Sequence, residues 1–151
     1  NFQATFDAIS EKLTDTDDNY AFCFVDLDNF KQINDTMGHL AGDEVLRQVA
    51  DVLKDVAGPE NLVGRVGGDE FVKTEQDRAR ETAEKILAGI QNITVEGRNS
   101  TRISGSVGIA IAPRDGRDYY ALLKRADACL YQAKSEGKDR WYGEKEGQEN
   151  I

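Results

Sequence analysis

Apolar residues recur along this chain with two different periods, and the alternation between the two sketches a fold. Phe2, Phe6, Ile9 and Leu13 fall at spacings of four, three and four, which predicts an amphipathic helix ending near the acidic loop Asp15 to Asn19. Ala21 to Val25 is a compact apolar run with two phenylalanines. Such a run suits a central strand covered on both faces, and it delivers Asp26 to the strand's C-terminal edge. Phe30, Ile33 and Met37 predict a short helix that stops at Gly38. From Ala41 to Ala57 the residues Val45, Leu46, Val49, Val52, Leu53 and Val56 trace a broad helical face, closed by Gly58-Pro59. Leu62 to Val66 and Glu70 to Thr74 read as the arms of a hairpin around Gly67-Gly68. Helical spacing returns from Asp77 to about Gln91, with Ala83, Ile86, Leu87 and Ile90 inward. Ile103, Val107, Ile109 and Ile111 mark a further strand, which Gly105 and Gly108 are expected to weaken. Tyr119 to about Ser135 predicts a last helix carrying Leu122, Leu123, Ala126 and Leu130, capped by Gly137, before a polar tail over residues 143–151.

Strand, helix, hairpin, helix, strand is the β-α-β-β-α-β order of an α+β, ferredoxin-like antiparallel sheet, here with additional helices at both ends. In that topology the first and third strands are central neighbours, so the end of Ala21 to Val25 lies beside the hairpin tip. The acidic pair Asp26-Leu27-Asp28 is then expected to meet Asp69 and Glu70. Three or four carboxylates that close repel one another unless cations neutralise them, and hard oxygen donors favour magnesium or manganese. Taken alone, Gly67 to Phe71 reads equally as an exposed hairpin with solvated acids.

With 151 residues the chain is long enough for one domain with a proper core. Its 39% hydrophobic and 31% charged content is ordinary for a soluble protein, and no apolar run approaches the roughly 18 residues a membrane helix needs. The expectation is a cytoplasmic domain without membrane contact of its own, with no leader argued by its first residues; a longer protein carrying it is open to membrane anchoring. A net charge of -9 disfavours nucleic-acid duplex as a partner, so a bound nucleotide would need a metal bridge. Cys23 and Cys129 sit in apolar stretches and read as packed thiols rather than ligands or a disulfide.

The string Phe24-Val25-Asp26-Leu27-Asp28-Asn29-Phe30-Lys31-Gln32-Ile33-Asn34-Asp35, then Gly38-His39, Gly42-Asp43 and Gly67 to Phe71, resembles the GGDEF family of diguanylate cyclases. The likeness continues through Ser106-Val107-Gly108-Ile109-Ala110, Ala126-Asp127 and Tyr131-Gln132-Ala133-Lys134, and covers roughly Phe2 to Tyr142. It implies a palm-like, nucleotide-cyclase-like fold over residues 1–142, slightly trimmed at the N-terminus. The implied reaction condenses two GTP molecules into cyclic di-GMP with release of pyrophosphate, in bacterial second-messenger signalling. It further implies a catalytic homodimer, each ribose hydroxyl attacking the α-phosphate of the partner's nucleotide, and an N-terminal sensory or dimerising module in a longer protein.

By the same resemblance Asp26, Asp69, Glu70 and the carbonyl of Leu27 hold Mg2+ (or Mn2+), two ions per active site, and Asp69 accepts the proton. Asn34 and Asp43 match the family's guanine readers, with His39, Gly67 and Gly68 as further substrate contacts. Lys31, Lys134 and Lys138 match cations that meet the triphosphate, Lys31 in the catalytic set. An amide and a carboxylate suit guanine's donor and acceptor edge, which adenine does not match. Lysine at 138 replaces an arginine common in relatives and loses bidentate geometry.

Three departures stand out. Gly58-Pro59-Glu60-Asn61 occupies the place of the Arg-x-x-Asp product site, so inhibition there is not expected. The Asp-x-Leu-Thr-Gly-Leu entry motif is missing. After Phe71, Val72 runs directly into Lys73-Thr74-Glu75-Gln76-Asp77, which suggests a shortened third strand. The competing reading is a catalytically inactive GTP-binding regulatory module of the same family.

Overall fold

The computed structural model describes residues 19–59, 61–66, 69–95, 103–116 and 118–143. The helix expected over Phe2 to Leu13, the loop from Asp15, the glycines Gly67 and Gly68, and the tail beyond Gly143 lie outside them. Strand β1 (Tyr20–Leu27) leads through helices α1 (Phe30–Met37) and α2 (His39–Ala57) to the hairpin strands β2 (Leu62–Val66) and β3 (Asp69–Glu75). A single turn of 3-10 helix (Gln76–Arg78) opens α3 (Ala79–Gln91), followed by β4 (Gly105–Ala112), α4 (Tyr119–Ser135) and β5 (Trp141–Tyr142). The strands form one sheet in the order β2-β3-β1-β4-β5, antiparallel except for β5 along β4. The expected α+β order holds, with β1 and β3 adjacent.

The central strand is buried on both faces because its alternate residues enter two cores. Ala21, Cys23, Val25 and Leu27 join the aliphatic layer beneath α2 and α3, with Val45, Val49, Leu53, Ile86 and Ile90. Tyr20, Phe22 and Phe24 face α4. There Phe22 meets Phe71 and Tyr119 edge-on, with centroids 5.2 and 5.3 Å apart, an arrangement that adds about 0.5–1.5 kcal/mol per pair beyond area burial. Cys23 and Cys129 are both buried thiols, and burial pushes the Cys23 thiol up to about 12.

Several expectations are corrected. Gly108 does not weaken β4: a Cβ there would strike the backbone of Ala126 and Leu130, so the glycine lets α4 lie directly on the strand. Gly105 likewise makes room for Ile90, whose Cδ1 would be 2.8 Å from an added Cβ. Helix α2 begins at His39 rather than Ala41, with Gly38 at φ 93° as the hinge between two helices. The third strand is not cut short: it pairs with β1 from Tyr20–Glu75 to Val25–Glu70. α4 ends at Ser135 as expected, and Gly137, at φ 129°, closes it: its N–H reaches the Lys134 carbonyl at 3.4 Å and the Lys138 N–H reaches that of Ala133 at 3.0 Å. Strand β5, two residues long, carries no period and was not expected.

Candidate functional site

Chain alternation decides where the acids at the end of β1 go. Asp26 pairs with Ser106 of β4, and its carboxylate, like that of Asp28, turns to the α4 face. Helix α4 carries Lys134 to the same point. Its ammonium donates to the Leu27 carbonyl at 2.9 Å and lies 3.2 Å from Asp26 Oδ2 and 3.3 Å from Asp28 Oδ1. Three consecutive residues of the strand end thus converge on one cation.

Asp28 is not the second open acid that its spacing suggests. It is buried, and it accepts from Ser104 Oγ at 2.7 Å, Ser106 Oγ at 2.6 Å and the Asp139 N–H at 2.9 Å. Burial alone would push its carboxyl up, but these bonds, led by Ser106 and Ser104, together with the Lys134 charge hold it below the usual carboxylate range. Asp28 therefore ties β1 to β4 and to the turn after α4. In that turn Lys138 and Asp139 take left-handed backbone, φ 65° and 53°, and Lys138 Nζ donates to Asn29 Oδ1 at 2.7 Å. Non-glycine residues in that region are strained, and here the strain aims the Asp139 N–H at Asp28.

On the opposite face lies a cavity of about 350 Å³ lined by Val25, Leu27, Phe30, Leu46 and Val49, with Glu70 and Arg65 supplying its charge; Asp26 borders it at the strand end while its carboxylate is held on the α4 side by Lys134. That volume falls within the range of about 300–1,000 Å³ typical of small-ligand pockets, and apolar walls with a few convergent polar groups are their usual chemistry. Glu70 sits on β3 opposite Val25, one residue before Asp26. Its side chain is 15% exposed, so it is not at an open tip as expected. Burial pushes its carboxyl above the usual range, against the pull of Arg65 at 3.9 Å and Lys54. The side chain of Asp69 lies outside the described residues; its backbone starts β3 in register with Val66.

The other sequence candidates fall around this centre. Asn34 lies across the α1–α2 elbow with its Oδ1 against Gly42, the residue before Asp43, and a Cβ on Gly42 would collide with it. Asp43 is exposed on α2, and neither of the two lines the cavity. His39 is the exposed first residue of α2. Lys31 is 92% exposed on α1 and pairs with Asp35 at 3.2 Å. Among the described residues no three His, Cys, Asp or Glu side chains gather as a metal cluster. The donors at the end of β1 nevertheless suit a hard cation, since a carboxylate and a carbonyl already converge on an ammonium; the Glu70 carboxylate lies on the other face of the sheet, in the cavity, so the expected meeting of Asp26 with Glu70 is not seen.

Sequence reasoning missed Arg65, Ser104, Ser106 and Asp139. Arg65 stands two residues before the glycine pair on a strand that alternates, a weak signal; the serines are separated from Asp28 by more than 70 residues, and nothing local links them. Phe30, Leu46 and Val49 read as core positions, and the breadth of the apolar face over α2 was the available hint of a lined cavity.

The family model described as "Diguanylate cyclase, GGDEF domain" matches residues 1–140. The bifunctional diguanylate cyclase/cyclic di-GMP phosphodiesterase MucR of Pseudomonas aeruginosa is 38% identical over 136 residues, 87% of this chain and 20% of that protein. The cyclic di-GMP phosphodiesterase PdeR of Escherichia coli is 34% identical over 146 residues, 93% of this chain and 22% of that protein. Among solved structures, an EAL/GGDEF domain protein from M. capsulatus superposes with a TM-score of 0.81 at 33% identity, covering 96% of this chain and 97% of the other. The chain thus spans about a fifth of the length of these two curated relatives. Among the described residues no helix is long and apolar enough to cross a membrane.

Proposed function

The chain belongs to the GGDEF domain family, and on that premise we propose that it is a diguanylate cyclase domain, condensing two GTP into cyclic di-GMP with release of pyrophosphate. The observation that carries the reading is the convergence of the Asp26 carboxylate and the Leu27 carbonyl at the end of β1, beside an apolar cavity that holds Glu70. Oxygen donors gathered at a strand end suit a metal-bound phosphate chain. Lys134 stands next to Asp26, where a phosphate would find a charge-assisted donor.

Asp26, Glu70 and the Leu27 carbonyl, with Asp69, would hold Mg2+ or Mn2+, in the family's manner two ions. Such ions neutralise phosphate charge and lower the pKa of a bound hydroxyl. Asp69 is the proposed proton acceptor. Asn34, whose Oδ1 lies against Gly42, and Asp43, the next residue on α2, are the proposed guanine readers, with His39, Gly67 and Gly68 as substrate contacts. Lys134 and Lys138 orient phosphates, and Asp28 keeps both cations in place through Lys134 and the Asp139 N–H. Lys31 supplies field from the open side. Two copies of the domain must face each other for one ribose hydroxyl to reach the other's α-phosphate, and a sensory or dimerising module of a longer protein would govern that encounter.

A second reading, an inactive GTP-binding regulatory module, is favoured by PdeR, which matches nearly the whole chain and carries a phosphodiesterase name. Concentrated protein incubated with GTP and magnesium, followed by mass spectrometry across a concentration series, separates the two. A cyclase yields cyclic di-GMP growing faster than linearly with protein. No product at any concentration, with thermal stabilisation by GTP and magnesium, points to the regulatory module or to a domain that lacks its dimerising module, and fusion to a dimerising coiled coil tells these two apart.

A further inference from the structure

The cation held at the end of β1 is part of the protein. Lys134 Nζ takes up the Leu27 carbonyl and the Asp26 carboxylate, the same two groups assigned above to the metal. A divalent ion such as Mg2+ approaches oxygen to about 2.0–2.1 Å and resists sharing its ligands with a second positive charge. The ammonium, 2.9 Å from one of these oxygens and 3.2 Å from the other, therefore excludes the ion from the site, and the ion excludes the ammonium.

The third contact decides what Lys134 does when it yields. Asp28 is fixed by Ser104, Ser106 and the Asp139 N–H, so its carboxylate cannot follow the lysine and instead remains as an anchor 3.3 Å from the nitrogen. The lysine side chain is 25% exposed and has a path toward solvent. A flexible four-carbon stem can pivot about such an anchor, provided that a new anion repays the contacts it leaves. A divalent ion arriving alone brings no such anion. A triphosphate does, and it also supplies the ion with further oxygens.

We propose that Lys134 is a resident counter-ion of the metal site, so that divalent metal is admitted together with a nucleoside triphosphate and only weakly without one. The inference rests on the reading of Asp26 and Leu27 as metal donors. It makes a prediction of unusual sign: removing a cation that would otherwise help to bind phosphate should strengthen binding of metal alone.

The test is titration of the 151-residue protein with Mn2+, read by electron paramagnetic resonance of the unbound ion, with and without the α,β-methylene analogue of GTP. Lys134→Met and Lys134→Gln should each bind Mn2+ alone about tenfold more tightly than the parent, while Lys134→Arg, which keeps the charge, stays within a few-fold of it. The analogue should enhance Mn2+ binding strongly in the parent and less in the two neutral variants. Equal or weaker Mn2+ binding by a folded neutral variant, or binding too weak to detect in parent and variant alike, overturns the counter-ion role. Two neutral variants of different polarity guard against one failing to fold. Asp26→Asn tests the underlying reading separately: it should abolish Mn2+ binding with and without analogue, and unchanged binding there sinks the metal assignment itself.

Discussion

The two faces of the sheet are built from the same strands and serve opposite ends. Toward α4 the packing is closed: Phe22, Phe24, Phe71 and Tyr119 interlock, and Gly108 lets the helix backbone rest on β4. Toward α2 the aliphatic layer is equally dry at its centre but opens, at the end of β1, into the cavity walled by Phe30, Leu46 and Val49. The closed face fixes where β1 ends to within the tolerance of a packed core and holds the Asp26 carboxylate against Lys134 at its margin, and the open face uses that fixed end to present Glu70. Rigidity on one side is what makes room on the other usable.

The largest expected effect comes from neutralising the acid shared between strand and cavity. Glu70→Gln is nearly isosteric, and it should lower cyclic di-GMP formation by a factor of about 10³ or more, on the scale of losing a preorganised electrostatic group. The same substitution removes a charge that burial disfavours, so the variant should melt no lower than the parent at neutral pH. An active variant, or one that unfolds, would break the division of labour between the faces.

Packing variants sharpen the contrast. Phe22 is fully buried, and Phe22→Ala should cost about 3–5 kcal/mol in urea unfolding. Leu46→Ala borders existing space, so it should cost only about 1–2 kcal/mol while weakening nucleotide binding. Equal costs would mean that the cavity closes in solution. At the elbow between α1 and α2, Gly42→Ala should push Asn34 aside and weaken GTP binding about tenfold, as expected for a base edge left unpaired, with ITP affected less.

How much of this was legible beforehand follows from the range over which each feature is decided. The strand at Ala21 to Val25, the helices and the hairpin are written in local periods and survive in the fold within a few residues. So does the neighbourhood of β1 and β3, because a β-α-β-β-α-β order leaves few ways to pair. Asp28 shows where local reading ends. Two residues apart on a strand, it and Asp26 share a face and look equivalent, yet Ser104 and Ser106 draw one into the interior and leave the other half open. Gly108 was misread for the same reason: its meaning depends on a helix that arrives twenty residues later. Helix α2 starts early because Gly38, without a capping side chain, bends the chain straight from one helix into the next.

Lys31 is the smallest expected effect and the sharpest contrast with Lys134. Both are lysines on helices around one site, but Lys134 is held by three oxygens at the end of β1, whereas Lys31 is 92% exposed and, among the described residues, bonded only to Asp35 one turn along its own helix. Exposed pairs of that kind contribute about 0.3–0.5 kcal/mol, so Lys31→Ala should leave the urea midpoint almost unmoved. Its proposed contribution to the reaction acts across solvent-screened distance, so turnover should fall only several-fold, and the fall should shrink as salt is raised. A loss as large as that of Glu70→Gln, independent of salt, would instead mean that Lys31 leaves Asp35 and closes on the reacting phosphate. The open face would then be a moving part rather than a fixed wall, and the contrast between the two faces would become one of mobility.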